Sequence, residues 1–137
     1  MNIFLVEDSA HIRRLVARRL GAIPGLRVVG EATSEHQALA LIRRTQPDTV
    51  LTDISLASGS GLTLAASLRS DGFTGHIAVM TSQGLDAYRQ ASSEAGADAF
   101  YDKASGLETL FSDLAALVPA ADGAALEAVS KCDNALG

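Results

Sequence analysis

Short apolar runs recurring between longer segments of helical period leave this chain few folds to choose from. Ile3-Phe4-Leu5-Val6, Val28-Val29, Val50-Leu51, Ile77-Ala78-Val79-Met80 and Ala99-Phe100-Tyr101 read as strands. Those in the middle of the chain are continuously apolar rather than alternating, the pattern of parallel strands covered on both faces. Between them, Ile12, Leu15, Val16 and Leu20 mark one helix, Leu39 and Ile42 a second, and Leu64 and Leu68 a third. Leu107, Leu110, Phe111, Leu114, Leu117 and Val118 form the clearest stripe, and the Ala- and Ser-rich segment from Tyr88 to Ala95 the faintest. Ser34 with Gln37 and Ser105 with Glu108 have the spacing of capping boxes, and Gly21 and Gly72 suit left-handed helix ends. Five strand–helix repeats imply right-handed crossovers and an open, doubly wound α/β parallel sheet with helices on both faces.

The 137 residues hold one such domain and a real core. We expect that domain over residues 1–118. The stretch Pro119 to Gly137 breaks the pattern and is expected to be a flexible tail or to carry a short helix around Ala124 to Val129. A net charge of −5 argues against nonspecific binding to nucleic acid or an anionic membrane. Cys132 is the only cysteine, so no internal disulfide forms and a reducing compartment fits. The first apolar run stops at Glu7-Asp8, too short for a signal peptide or a membrane span, which makes the cytoplasm the expected location.

In an open parallel sheet, ligands bind beyond the carboxyl ends of the strands. The first strand here runs out into Glu7-Asp8, the third ends at Asp53, the fourth at Thr81-Ser82 and the fifth at Asp102-Lys103. Three carboxylates with one lysine repel one another unless a cation joins them. Oxygen ligands of this kind suit Mg²⁺. A metal, a lysine and a hydroxyl together can hold a phosphoryl group, and a remaining carboxylate can attack it as nucleophile.

The set Glu7-Asp8, Val50-Leu51-Thr52-Asp53, Val79-Met80-Thr81-Ser82 and Gly96-Ala97-x-x-Phe100-x-x-Lys103 resembles the response-regulator receiver family over residues 2 to about 118. Each motif is weak alone; all four, in order and at strand ends, are specific. The resemblance implies the flavodoxin-like receiver fold: five parallel strands in the order 2-1-3-4-5 with five helices. It implies Asp53 as phosphoacceptor, and Mg²⁺ (or Mn²⁺) held by Glu7, Asp8, Asp53 and the carbonyl of Ser55. It further implies Lys103 and Thr81 as phosphate contacts, Thr81 and Phe100 as the switch pair, and Ser55 and Gln83 as residues that tune hydrolysis. Gly61 falls where the family has a glycine. Ala57, Ser82 and Ala104 depart from the usual residues at their positions without removing a group the chemistry needs.

The implied partners are a histidine kinase or histidine phosphotransfer protein and a downstream protein target. Nucleic acid and membrane are not expected partners, a phosphorylation-dependent homodimer is left open, and the length suggests no DNA-binding output domain. Arg13, Arg14, Arg18 and Arg19 crowd the first helix, which in the family docks on the kinase; a plain solvated face is the simpler reading. His11, His36 and His76 lack paired ligand spacing. The competing readings are a pseudo-receiver that binds partners without phosphorylation, a receiver fragment of a longer regulator, and an aspartyl-nucleophile phosphohydrolase. The last is disfavoured because Ser55 stands where such enzymes carry an acid.

Overall fold

The computed structural model describes residues 1–82 and 85–119. Strands and helices alternate: β1 (Asn2–Val6), α1 (Ala10–Gly21), β2 (Arg27–Ala32), α2 (Glu35–Thr45), β3 (Thr49–Asp53), α3 (Gly61–Ser70), β4 (His76–Thr81), α4 (Leu85–Glu94), β5 (Ala99–Asp102) and α5 (Leu107–Leu117). All strand pairs are parallel, in the order β2-β1-β3-β4-β5. The Ala- and Ser-rich segment does form a helix, α4.

Period-two alternation sends successive strand side chains to opposite faces, and here both faces are cores. Ile3, Leu5, Leu51, Ala78 and Met80 pack with Val16 and Leu20 of α1 and with Leu110, Phe111 and Leu114 of α5. Phe4, Val6, Val50, Ile77 and Val79 pack on the other side with Ala38 and Ile42 of α2 and with Leu64 and Leu68 of α3. This two-sided burial is why the central runs read as unbroken apolar stretches.

The helix ends depart from the sequence expectations in two places. Ser34 caps α2 as expected, accepting from Gln37 N, while Gln37 Oε1 accepts from Thr33 N. Ser105 does not cap α5: Gly106 is the N-cap, with no side-chain bond, and the Ser105 hydroxyl donates to Asp102 Oδ2. Glu108 instead takes two hydrogen bonds, at 2.9 and 2.8 Å, from the Arg19 guanidinium of α1. A charged fork offers that carboxylate more than one neutral backbone N–H can. Gly21 is the last residue of α1, followed by a right-handed Ala22, and the left-handed turn falls later, at Gly25. Gly72 does adopt the left-handed conformation, just after α3. The expected tail helix, Cys132 and Gln83 lie outside the described residues. Among the described residues no helix is long and apolar enough to cross a membrane.

One hydrogen bond between β5 and α5 has a pH signature. Tyr101 is buried, and its hydroxyl donates to Asp113 Oδ2 at 2.6 Å. Burial, reinforced by that carboxylate, pushes the phenol above its ordinary value of 10. The bond requires the protonated phenol, so its stabilisation is whole below pH 10 and is lost as the pH climbs beyond it. We expect Tyr101→Phe to lower the unfolding free energy by about 1 kcal/mol at mildly alkaline pH. Urea melts of both proteins at rising pH should converge once the phenol ionises; a constant gap would contradict this assignment.

Candidate functional site

The site is built where β1, β3, β4 and β5 end. Glu7, the residue after β1, is fully buried, and Asp8 beside it is exposed. Glu7 is fixed from several sides: its N–H donates to Ala32 O, its Oε2 accepts from Ser9 N at 3.1 Å, and its carbonyl accepts from Arg13 Nη1. Ser9 is also the N-cap of α1, so the start of that helix and the placement of the acidic pair are one arrangement. Asp53 ends β3 and is buried; the next residue, Ile54, donates its N–H to Met80 O of β4. Thr81 ends β4, buried, and its carbonyl accepts from Lys103 N at 2.8 Å.

Lys103 then reaches back across the strand ends. Its Nζ donates to Asp53 Oδ2 at 2.8 Å and lies 2.8 Å from Glu7 Oε1, the second contact an ion pair without hydrogen-bond alignment. Burial raises the Glu7 carboxyl above its ordinary range, an effect the Lys103 ammonium only partly offsets. Burial alone would pull Lys103 down, but Asp53 and Glu7 together outweigh it and hold the ammonium above its usual value. The lysine is therefore firmly charged.

One ligand oxygen each from Glu7, Asp8 and Asp53 lies within 4.8 Å of the others. Three acids this close, one of them sealed from water, carry more negative charge than one ammonium balances. Hard oxygen donors in such a group fit Mg²⁺ or Mn²⁺. No other grouping of three acidic, histidine or cysteine side chains occurs among the described residues.

Glu7, Asp8, Asp53, Ser55, Thr81 and Lys103 all line one cavity of about 260 Å³, with Ser9, Ser82 and Tyr88 completing it. Six of the eight sequence-derived site residues thus come together. Phe100 does not line that cavity: it sits half-buried on β5 with the Arg89 guanidinium 5.7 Å from its ring centroid. The eighth, Gln83, is outside the described residues. A larger crevice of about 420 Å³ lies near the opposite ends of β3 and β4, but its Arg43 and Asp71 already pair with each other at 2.8 Å. Gly61 gains a physical reason here, since a Cβ at that position would stand 2.1 Å from the Asp53 carbonyl oxygen. A glycine lets α3 start directly beneath the end of β3. Ser9 and Tyr88 were not singled out in the sequence, because a helix cap and a helical tyrosine carry no strand-end signal.

The response regulator receiver domain pattern matches residues 3–115. The chain is 34% identical over 108 residues to the nitrate/nitrite response regulator protein NarP of Escherichia coli (strain K12), covering 79% of this chain and 50% of that protein. It is 40% identical over 70 residues to the DNA-binding transcriptional activator DevR/DosR of Mycobacterium tuberculosis (strain ATCC 25618 / H37Rv), covering 51% and 32%. Among solved structures it resembles the BeF3-activated N-terminal receiver domain of Klebsiella pneumoniae RstA, with a TM-score of 0.75, 33% identity and coverage of 83% and 95%. A two-component response regulator of the LuxR family from Aurantimonas sp. SI85-9A1 gives a TM-score of 0.79 at 29% identity, covering 85% and 84%. The chain spans about half the length, or less, of these curated relatives.

Removing the lysine isolates its electrostatic role. Lys103→Ala leaves the buried Glu7 and Asp53 facing each other without a counter-charge, and we expect a loss of about 3 kcal/mol near neutral pH. A protonated Glu7 needs no partner, so the deficit should shrink as the pH falls through that carboxyl's raised range. Denaturant midpoints of both proteins at neutral and mildly acidic pH check this; equal stability at neutral pH would contradict it.

Proposed function

The chain belongs to the response regulator receiver domain family, and we propose that it works as a phosphorylation-operated switch whose acceptor is the Asp53 carboxylate. The observation that carries this reading is the contact of one ammonium with two buried acids. Lys103 Nζ stands 2.8 Å from both Asp53 and Glu7, in a cavity that Thr81 and Asp8 also line.

The carboxylates of Glu7, Asp8 and Asp53, with the Ser55 carbonyl, would hold Mg²⁺ or Mn²⁺. Bound there, the cation supplies positive charge that offsets the phosphoryl oxygens. An Asp53 oxygen attacks the phosphorus of a phosphohistidine on a histidine kinase or phosphotransfer protein. As the O–P bond forms, the N–P bond breaks and the histidine nitrogen leaves with its electron pair. Lys103 stays beside the developing charge, so catalysis consists mainly of positioning and electrostatics. Water hydrolyses the resulting acyl phosphate, and Ser55 and Gln83 set how fast. Thr81 turns its hydroxyl to the new phosphoryl oxygens, and Phe100 repacks with it, biasing the α4–β5 face toward its active arrangement.

The domain is thus a cytoplasmic signalling module that catalyses its own phosphorylation and dephosphorylation, and its output is contact with a protein target. A phosphorylation-dependent homodimer is one form that contact can take. A second reading, that these residues are the receiver portion of a longer regulator, is favoured by the greater length of relatives such as DevR/DosR, whose name places its action at DNA.

Incubation with Mg²⁺ and acetyl phosphate, followed by intact-mass measurement, tests the acceptor. We expect a phosphoryl adduct that decays, and none for Asp53→Asn. Thr81→Ala should still form the adduct but show a much smaller amide-spectrum change with beryllofluoride. A folded wild-type protein that gives neither adduct nor spectral change would instead favour a phosphorylation-independent interaction module.

A further inference from the structure

We infer that Glu35, at the start of α2, is a positioning residue for the cation site: its carboxylate anchors the β3–α3 loop that carries the Ser55 carbonyl. The inference rests on the reading just given, in which that carbonyl is a ligand. The loop leaves β3 after Asp53 and returns to α3 at Gly61, and its only internal pairing is a single antiparallel bridge between Ser55 and Ser60. The hydrogen bond at that bridge runs from Gly61 N to Ile54 O, outside the bridged pair. The N–H of Ser60 is not spent there and donates to Glu35 Oε1 at 3.0 Å.

Two backbone bonds run beside this one. Glu35 N donates to Ser58 O at 2.9 Å, and Ala57 N donates to Thr33 O at 3.0 Å. The loop is therefore held to the turn between β2 and α2 at three successive points, and only one of them uses a side chain. Ser60 is in turn the N-cap of α3, accepting from Leu62 N at 3.0 Å. Glu35 thus fixes the residue that starts α3 and faces Ser55 across the bridge. Gly59 completes the fit: at φ +88°, any Cβ there would stand 2.4 Å from Glu35 Oε1 and 2.5 Å from its Cβ. The loop presses directly on the Glu35 side chain and has a glycine where they meet.

A backbone carbonyl ligates a cation only as well as its loop holds it, and groups that orient metal ligands from behind typically govern affinity by 10–100-fold. Mg²⁺ titrations of the full chain, followed by amide shifts near Asp53, read this directly without phosphorylation. We expect Glu35→Ala to weaken Mg²⁺ binding about tenfold. Glu35→Gln, which retains the Oε1 acceptor and drops the charge, should bind close to wild type. Gly59→Ala, whose Cβ would crowd Glu35 Oε1 and displace it, should reproduce Glu35→Ala.

Each outcome decides something. Wild-type affinity in Glu35→Ala, even with lowered thermal stability, overturns the inference alone. Equal weakening in Glu35→Gln also overturns it, because charge rather than the loop bond would then be at work. If the wild-type protein shows no saturable Mg²⁺ binding, or Asp8→Asn binds as well as wild type, the underlying site reading fails instead.

Discussion

Two buried acids bridged by one ammonium are the constraint around which the rest of this molecule is arranged. Glu7 is wholly sealed from water and Asp53 nearly so, yet both face the same Lys103 Nζ at 2.8 Å. Desolvating such charges costs several kcal/mol per ion, and mutual attraction repays that only when geometry is tight. The parallel sheet supplies the geometry. β1 and β3 are direct neighbours, so Glu7 and Asp53 emerge side by side, and β4–β5 pairing places Lys103 one residue beyond Thr81's partner, Asp102. The site is therefore a consequence of strand order: in a different order, Glu7, Asp53, Thr81 and Lys103 would not meet.

That dependence explains what could be read from the chain alone. The strands were legible because two-sided burial writes itself as continuous apolar runs, and the chemistry because it falls where those runs end. The failures share a cause. Ser105–Glu108 has capping-box spacing, but Glu108 is taken by Arg19, 89 residues earlier in sequence. Gly21 follows a helical stripe, but the turn that needs a positive φ comes at Gly25. Glu35 reads only as a favourable acid at a helix start, and its bond to Ser60 spans 25 residues. Local patterns encode local structure; a side chain's tertiary partner is set by a distant element and leaves no mark nearby.

The arginines of α1 divide the same way. Arg13 is held by the Glu7 carbonyl and lies 3.3 Å from Glu31, while Arg19 forks onto Glu108 and stacks 4.5 Å from the Phe111 ring centroid. Two of the four positive charges thus secure β1, β2 and α5 to α1 rather than form a surface field. Arg14 and Arg18 make no ion pair among the described residues and flank Leu15, which is 38% exposed. A short basic and apolar strip is what the solvent face of α1 offers.

Charge counting bears on how the proposed switch is thrown. A phosphoryl group brings roughly −1.5 to −2 charges, but esterified Asp53 gives up its own, so the net change is only about one unit. In a pocket that already holds Glu7, Asp8 and Lys103, bulk repulsion from one further charge is a blunt signal. What does change is the position of hydrogen-bond acceptors, and in the proposed switch Thr81, one of several hydroxyl residues lining the cavity, reads it. One charge-assisted hydrogen bond is worth about 1.5–3 kcal/mol, whereas inverting a two-state equilibrium from 1:99 to 99:1 takes about 5.5. Thr81 alone would therefore move the balance about a quarter to a half of the way. The rest has to come from elements that prefer one arrangement, the Phe100 packing under Arg89 among them, or from a partner that binds only the active face. On this accounting the proposed switch, phosphorylated in isolation, would be a mixture, and a bound target would complete the transition.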